Sequence, residues 1–98
     1  MSDKQLRTLQ KAIKRLHGCD AVHVRTETVV ESFEGRPVWG GQVEVFTLSG
    51  HAKAKHCYAW SFENDQGKQE HVAVLELPPV VDAQTAVQAY LVSLTKRL

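Results

Sequence analysis

A four-stranded antiparallel meander with a helix at each end is the fold this sequence predicts: an α+β domain in the order α-β-β-β-β-α. Two apolar stripes at helical spacing occupy the ends of the chain. Between them lie four runs rich in β-branched and aromatic residues, separated by short glycine-bearing turns. Turns of that length leave no room for a crossover, so consecutive strands pair antiparallel in the spatial order 1-2-3-4.

The first helix rests on Leu6, Leu9, Ile13 and Leu16, which recur at steps of three and four with Ala12 beside them. Ser2 suits its N-cap and Asp3 its first turn, where the dipole favours an anion. Gly18 ends it, with Arg15 and His17 near the negative end of the dipole.

Strand one is expected over residues 21–33, where Val22, Val24, Thr26, Thr28 and Val30 alternate with His23, Arg25, Glu27, Val29 and Glu31. Glu34-Gly35 offers the turn. Strand two is expected over residues 37–48. Its apolar parity changes between Val38 and Val43, and a β-bulge at Gly40-Gly41 would restore one inward face. Ser49-Gly50 turns the chain into strand three, over residues 52–63, with Ala54, His56, Tyr58, Trp60 and Phe62 on one side and Lys53, Lys55, Cys57, Ala59 and Ser61 on the other. The run from Asn64 to Gly67 is a loop. Strand four, over residues 69–77, is apolar on both sides and ends at Pro78-Pro79, since proline has no N–H for a ladder.

Asp82 caps the second helix. Its stripe is Ala83, Ala86, Val87, Tyr90, Leu91, Leu94 and Leu98, with Lys96 and Arg97 in the last turn. The economical arrangement packs both helices on one face of the sheet. The other face then carries apolar side chains that need cover, and a second copy of the chain supplies it. The expectation is a homodimer, through sheet faces or through strand-four edges.

Length and composition bound the function. Ninety-eight residues make one domain, spanning 1–98. The apolar fraction of 43%, charged fraction of 23% and net charge of +1 are those of an ordinary globular chain, with no whole-molecule field for DNA or membrane. The first residues hold no apolar run of the signal-peptide kind, and no stretch has the length of a membrane span. Cys19 and Cys57, without C-x-x-C spacing, read as reduced thiols of a cytoplasmic protein.

The segment from Ser49 to Trp60 is densest in polar chemistry, and His51, Lys53, Lys55, His56, Tyr58 and Trp60 are the candidates for a ligand or partner surface. His56 and Cys57 are adjacent on a strand and face opposite ways, so they form no nucleophile–base pair. The histidines and cysteines lack the spacing of a zinc site. No phosphate-cradling glycine loop, G-x-S-x-G or H-E-x-x-H is present. No catalytic residue, metal or cofactor is therefore assigned.

Lys4, Arg7, Lys11, Lys14 and Arg15 give the first helix a basic face that, with Lys53 and Lys55, could meet phosphates. The element order nevertheless differs from double-stranded RNA-binding domains and from RNA-recognition motifs. The favoured expectation is a non-enzymatic interaction module that self-associates through its sheet. Nucleic-acid binding is the alternative, and a small-ligand or enzymatic cleft near His56 and Tyr58 the third.

Overall fold

The computed structural model describes residues 3–95. Helix α1 (Asp3–His17) leads into strands β1 (Asp20–Phe33), β2 (Arg36–Ser49), β3 (His56–Glu63) and β4 (Gln69–Leu75), and helix α2 (Ala83–Thr95) follows. The sheet is an antiparallel meander in the order β1-β2-β3-β4. Class, element order and strand order are those the sequence predicts. The expected Ser2 cap and the Lys96, Arg97 and Leu98 positions lie outside the described residues.

The placement of the helices differs from the expectation. They cover opposite faces, so the fold is a three-layer helix–sheet–helix sandwich. On one face Val29, Val43, Val45, Tyr58 and Trp60 pack against Ala83, Ala86 and Val87 of α2. On the other Phe46, Cys57 and Ala59 pack against Leu9 and Ile13 of α1, with Ala73 and Leu75 joining from β4. Alternation explains the split. Tyr58 and Trp60 pair with Val74 and Val72, whereas Cys57 and Ala59 pair with Leu75 and Ala73, so each strand sends successive residues to different layers. A sheet apolar on both sides is what two amphipathic helices on opposite sides require. The apolar second face that suggested a dimer is thus covered within one chain.

β1 and β2 form a long hairpin, with Glu34 (φ 52°) and Gly35 (φ 79°) at its tip. Both φ values are positive, as a tight primed turn requires. Only residues 44–47 of β2 pair with β3. The outer half of the hairpin therefore runs on beyond β3, with α2 beneath it. The register shifts fall between His23 and Arg25 and between Glu31 and Ser32, not at Gly40-Gly41. At Gly41 the Trp39 ring lies 3.4 Å from where a Cβ would stand, an ordinary contact distance. Residues 50–55 form a loop, although the third strand was expected to begin at 52, and in it His51 Nδ1 accepts hydrogen bonds from the Lys53 and Ala54 amides at 3.0 and 2.8 Å.

Both helices also reach the sheet edges. Gln10 Nε2 donates to the Ala21 carbonyl at 2.9 Å, and Gln84 Nε2 to the Val30 carbonyl at 3.0 Å, both on edge strand β1. His17 Nε2 lies 2.9 Å from the Ala73 carbonyl of the opposite edge, β4. The α2 cap is reciprocal: Asp82 Oδ1 accepts the Thr85 amide at 2.8 Å, while Thr85 Oγ1 accepts the Asp82 amide at 3.0 Å.

Candidate functional site

The six residues expected to form a partner surface do not share one. His51, Lys53 and Lys55 sit in the β2–β3 loop, with the two lysines exposed. Tyr58 and Trp60 are buried beneath α2 and belong to the core, which removes them from any outer contact face. The Trp60 ring is held edge-on between Trp39 and Tyr90, and its buried Nε1 has no hydrogen-bond partner. Lys4, Arg7, Lys11, Lys14 and Arg15 are all exposed on α1, and Lys14 pairs with Asp20 at 3.4 Å. The basic face is thus present on the outer side of that helix.

His56 and Tyr58 are brought together by Glu76, a residue that no sequence motif singles out. Glu76 Oε1 lies 3.0 Å from His56 Nδ1, and Glu76 Oε2 accepts a short hydrogen bond from the Tyr58 hydroxyl. Burial raises the Glu76 pKa, but the hydrogen bonds from Tyr58 and His56 and the His56 charge outweigh it, so the carboxyl stays below its ordinary value. Burial first, then the hydrogen bond and charge of Glu76, hold the Tyr58 hydroxyl well above its ordinary value. Tyr58 is therefore a fixed donor at neutral pH.

A carboxylate orienting a histidine through Nδ1 is one part of a general base. A substrate recess is the other, and the grooves beside α2, at the β4 edge and at the hairpin tip are not lined by His56, Tyr58 or Glu76. The arrangement works as a clasp, tying the segment after β4 back onto β3. The only sequence signal for Glu76 is its place one residue beyond the end of β4.

A second polar cluster lies on the α1 face. Glu44 is fully buried, with Oε1 at 2.8 Å from His23 Nε2 and 2.5 Å from Thr26 Oγ1. Its Oε2 has no hydrogen-bond partner. In the sequence Glu44 is one acidic residue among several on the strands. Its burial follows from register, since it pairs with Ala59 and Thr26 inside the α1 layer. Among the described residues no cluster of three or more His, Cys, Asp or Glu could hold a metal. Cys57 is buried, and burial, reinforced by the neighbouring Cys19, pushes its thiol up to about 12 despite a backbone hydrogen bond from Tyr58. Such a thiol is not a nucleophile at neutral pH.

The most apolar open surface is elsewhere. A groove of about 550 Å³ runs between the hairpin tip and the outer side of α2, lined by Phe33, Val38, Leu91, Val92 and Leu94 among others. Phe33 is 68% exposed, Val38 51% and Val92 52%, so they form a patch open to water. Glu31 sits at its rim, where Gln84 and Gln88 hydrogen-bond to it. Strand parity alone hides this patch, because it arises only when the hairpin overhangs α2.

No protein-family model, curated protein or solved structure matches this chain. No helix among the described residues is long and apolar enough to cross a membrane.

Proposed function

We propose that this chain is a small non-enzymatic interaction module, cytoplasmic, that self-associates as a homodimer through the apolar surface at the hairpin tip and α2. The observation that carries the reading is the groove bordered by Phe33, Val38 and Leu94, exposed apolar side chains that the fold leaves open to water. A second copy is the occupant this reading commits to. An apolar projection, Phe33, stands beside an apolar recess, and Glu34 and Arg36 flank it with opposite charges that a two-fold axis would bring together. A net charge of +1 sets up little repulsion between copies. Since helices cover both sheet faces, this surface replaces face-to-face sheet pairing as the route to a dimer.

Sedimentation velocity over a concentration series tests it. The expected result is a monomer–dimer equilibrium that Phe33→Ser and Val38→Lys shift to monomer, with the circular dichroism spectrum unchanged. A native chain that stays monomeric at high micromolar concentration overturns the reading, as does a dimer indifferent to both substitutions.

A further inference from the structure

The free edge of β4 lies at the bottom of a trough. The flanking hydrogen bonds fix the phase of the β3–β4 ladder: Asn64 N donates to Lys68 O at 2.8 Å, and Glu76 N to His56 O at 3.0 Å. With the pairing register, this makes the even-numbered residues of β4 the ones bonded to β3. Gln69, His71, Ala73 and Leu75 therefore turn their N–H and C=O groups toward the open edge. Two of these carbonyls are occupied: Leu77 N donates to that of Leu75 at 2.9 Å, and His17 holds that of Ala73. The stretch around Gln69 and His71 is left as an unpaired template.

The trough, about 750 Å³, is lined by residues of both layers. Arg15 and Leu16, at the end of α1, form one wall, and Tyr90, Ser93 and Leu94 of α2 form the other. Phe62 and Val72 add apolar surface on the α2 side. Outward backbone groups of β4 thus form a floor between two helical walls.

The geometry points to a peptide-binding site: an extended segment of a partner protein adds to β4 as a fifth strand, with acidic side chains toward Arg15 and apolar side chains toward Tyr90 and Leu94. The backbone of the slot specifies an extended chain, because only another strand offers donors and acceptors at the spacing of Gln69 and His71. Alternation along that strand sends successive side chains to the two walls: one carries Arg15, and the other carries Tyr90 and Leu94 with Glu70 of β4 beside them, which disfavours an acid there, so the pattern is acidic–apolar. A second copy of this chain does not fit as occupant, since edge-to-edge pairing would drive the helical walls of one copy against those of the other. The trough shares Leu94 with the hairpin groove but none of the residues substituted in either test, so either proposal can fail without the other.

The probe is a short fluorescent peptide of alternating valine and glutamate, titrated by anisotropy. Three comparisons carry the test: a valine–lysine peptide, the valine–glutamate peptide N-methylated along one edge, and the variants His71→Pro and Arg15→Glu. Proline at 71 removes an amide that faces the slot and leaves the β3 ladder intact. The expected results are saturable binding of the glutamate peptide, lost on N-methylation. His71→Pro weakens it by about tenfold, the worth of one backbone hydrogen bond, and Arg15→Glu reverses the preference toward the lysine peptide. Thermal melts confirm that both variants fold. Absence of binding, binding that survives N-methylation, or binding that neither variant alters overturns the proposal. So does a native-chain dimer that His71→Pro dissociates, because that would make the edge a self-contact.

Discussion

Trp60 meets the ring of Tyr90 edge-on, with centroids 5.3 Å apart and planes at 86°. Trp39 meets it from another side at 5.4 Å and 70°. The three rings join β2, β3 and α2, so Trp60 locks the α2 layer to the sheet. Trp60→Ala should cost about 3–5 kcal/mol, a large part of the roughly 5–15 kcal/mol that holds a domain of this size. Trp60→Phe should cost only about 1–2 kcal/mol, because it also removes the unpartnered Nε1. Urea denaturation of both variants checks this, and equal losses would show that ring packing is not the main term.

The buried Glu44 depends on His23 and Thr26 for its hydrogen bonds. Both bond the same oxygen, Oε1, so removing one leaves it a single hydrogen bond beside a buried Oε2 that already has none. His23→Ala should therefore destabilise by about 1–3 kcal/mol. Glu44→Leu in the same chain should recover most of that loss, since the charge and its missing partner disappear together. A double-mutant cycle measures the coupling, and strictly additive losses would refute it.

Acid should weaken the fold through Glu76 and Asp82. Hydrogen bonds from Tyr58 and His56 hold Glu76 below its ordinary value against the effect of burial, and those from the Thr85 amide and hydroxyl do the same for Asp82. A carboxyl depressed in the folded state stabilises above its unfolded pKa, here about 4, and loses that contribution as pH falls further. Melting temperature should be level above about pH 5 and fall below about pH 4. Glu76→Gln with Asp82→Asn should flatten the fall, and an unchanged acid slope in that double variant would count against it.

Cys57 should resist thiol reagents in the folded chain. Its thiol is buried and pushed up to about 12, so almost none is thiolate at neutral pH. Labelling with a chromogenic disulfide should be slow in buffer and fast in denaturant. Prompt labelling of native Cys57, read by mass spectrometry of the modified peptide, would contradict this.

The sequence carried the element order because each signal was local. The stripe of Leu6, Leu9 and Ile13, the Glu34-Gly35 turn and the Asp82 cap all depend on neighbours within a few residues. The sides taken by the helices were not local. Alternating apolar residues in β3 and β4 meant that both faces were buried, and a second helix within the chain satisfies that as well as a second chain does. The parity of Tyr58, Trp60, Cys57 and Ala59 held the information, but a search for one inward face read it as excess. The Glu76 clasp and the hairpin groove were hidden for a related reason. Each joins segments far apart in the chain, and no short-range pattern records such meetings.

The three helix side chains that bond to edge carbonyls, Gln10 to Ala21, Gln84 to Val30 and His17 to Ala73, have a consequence for aggregation. Each helix protects the sheet twice, laying its apolar stripe over a face and plugging part of an edge. Melting either chain end would release both protections at once, baring a greasy surface and the strand beside it in one event. The step from native chain to a species able to template fibrils is then a single local unfolding, so resistance to fibril growth should track the opening free energy of the weaker helix rather than the global stability of the domain.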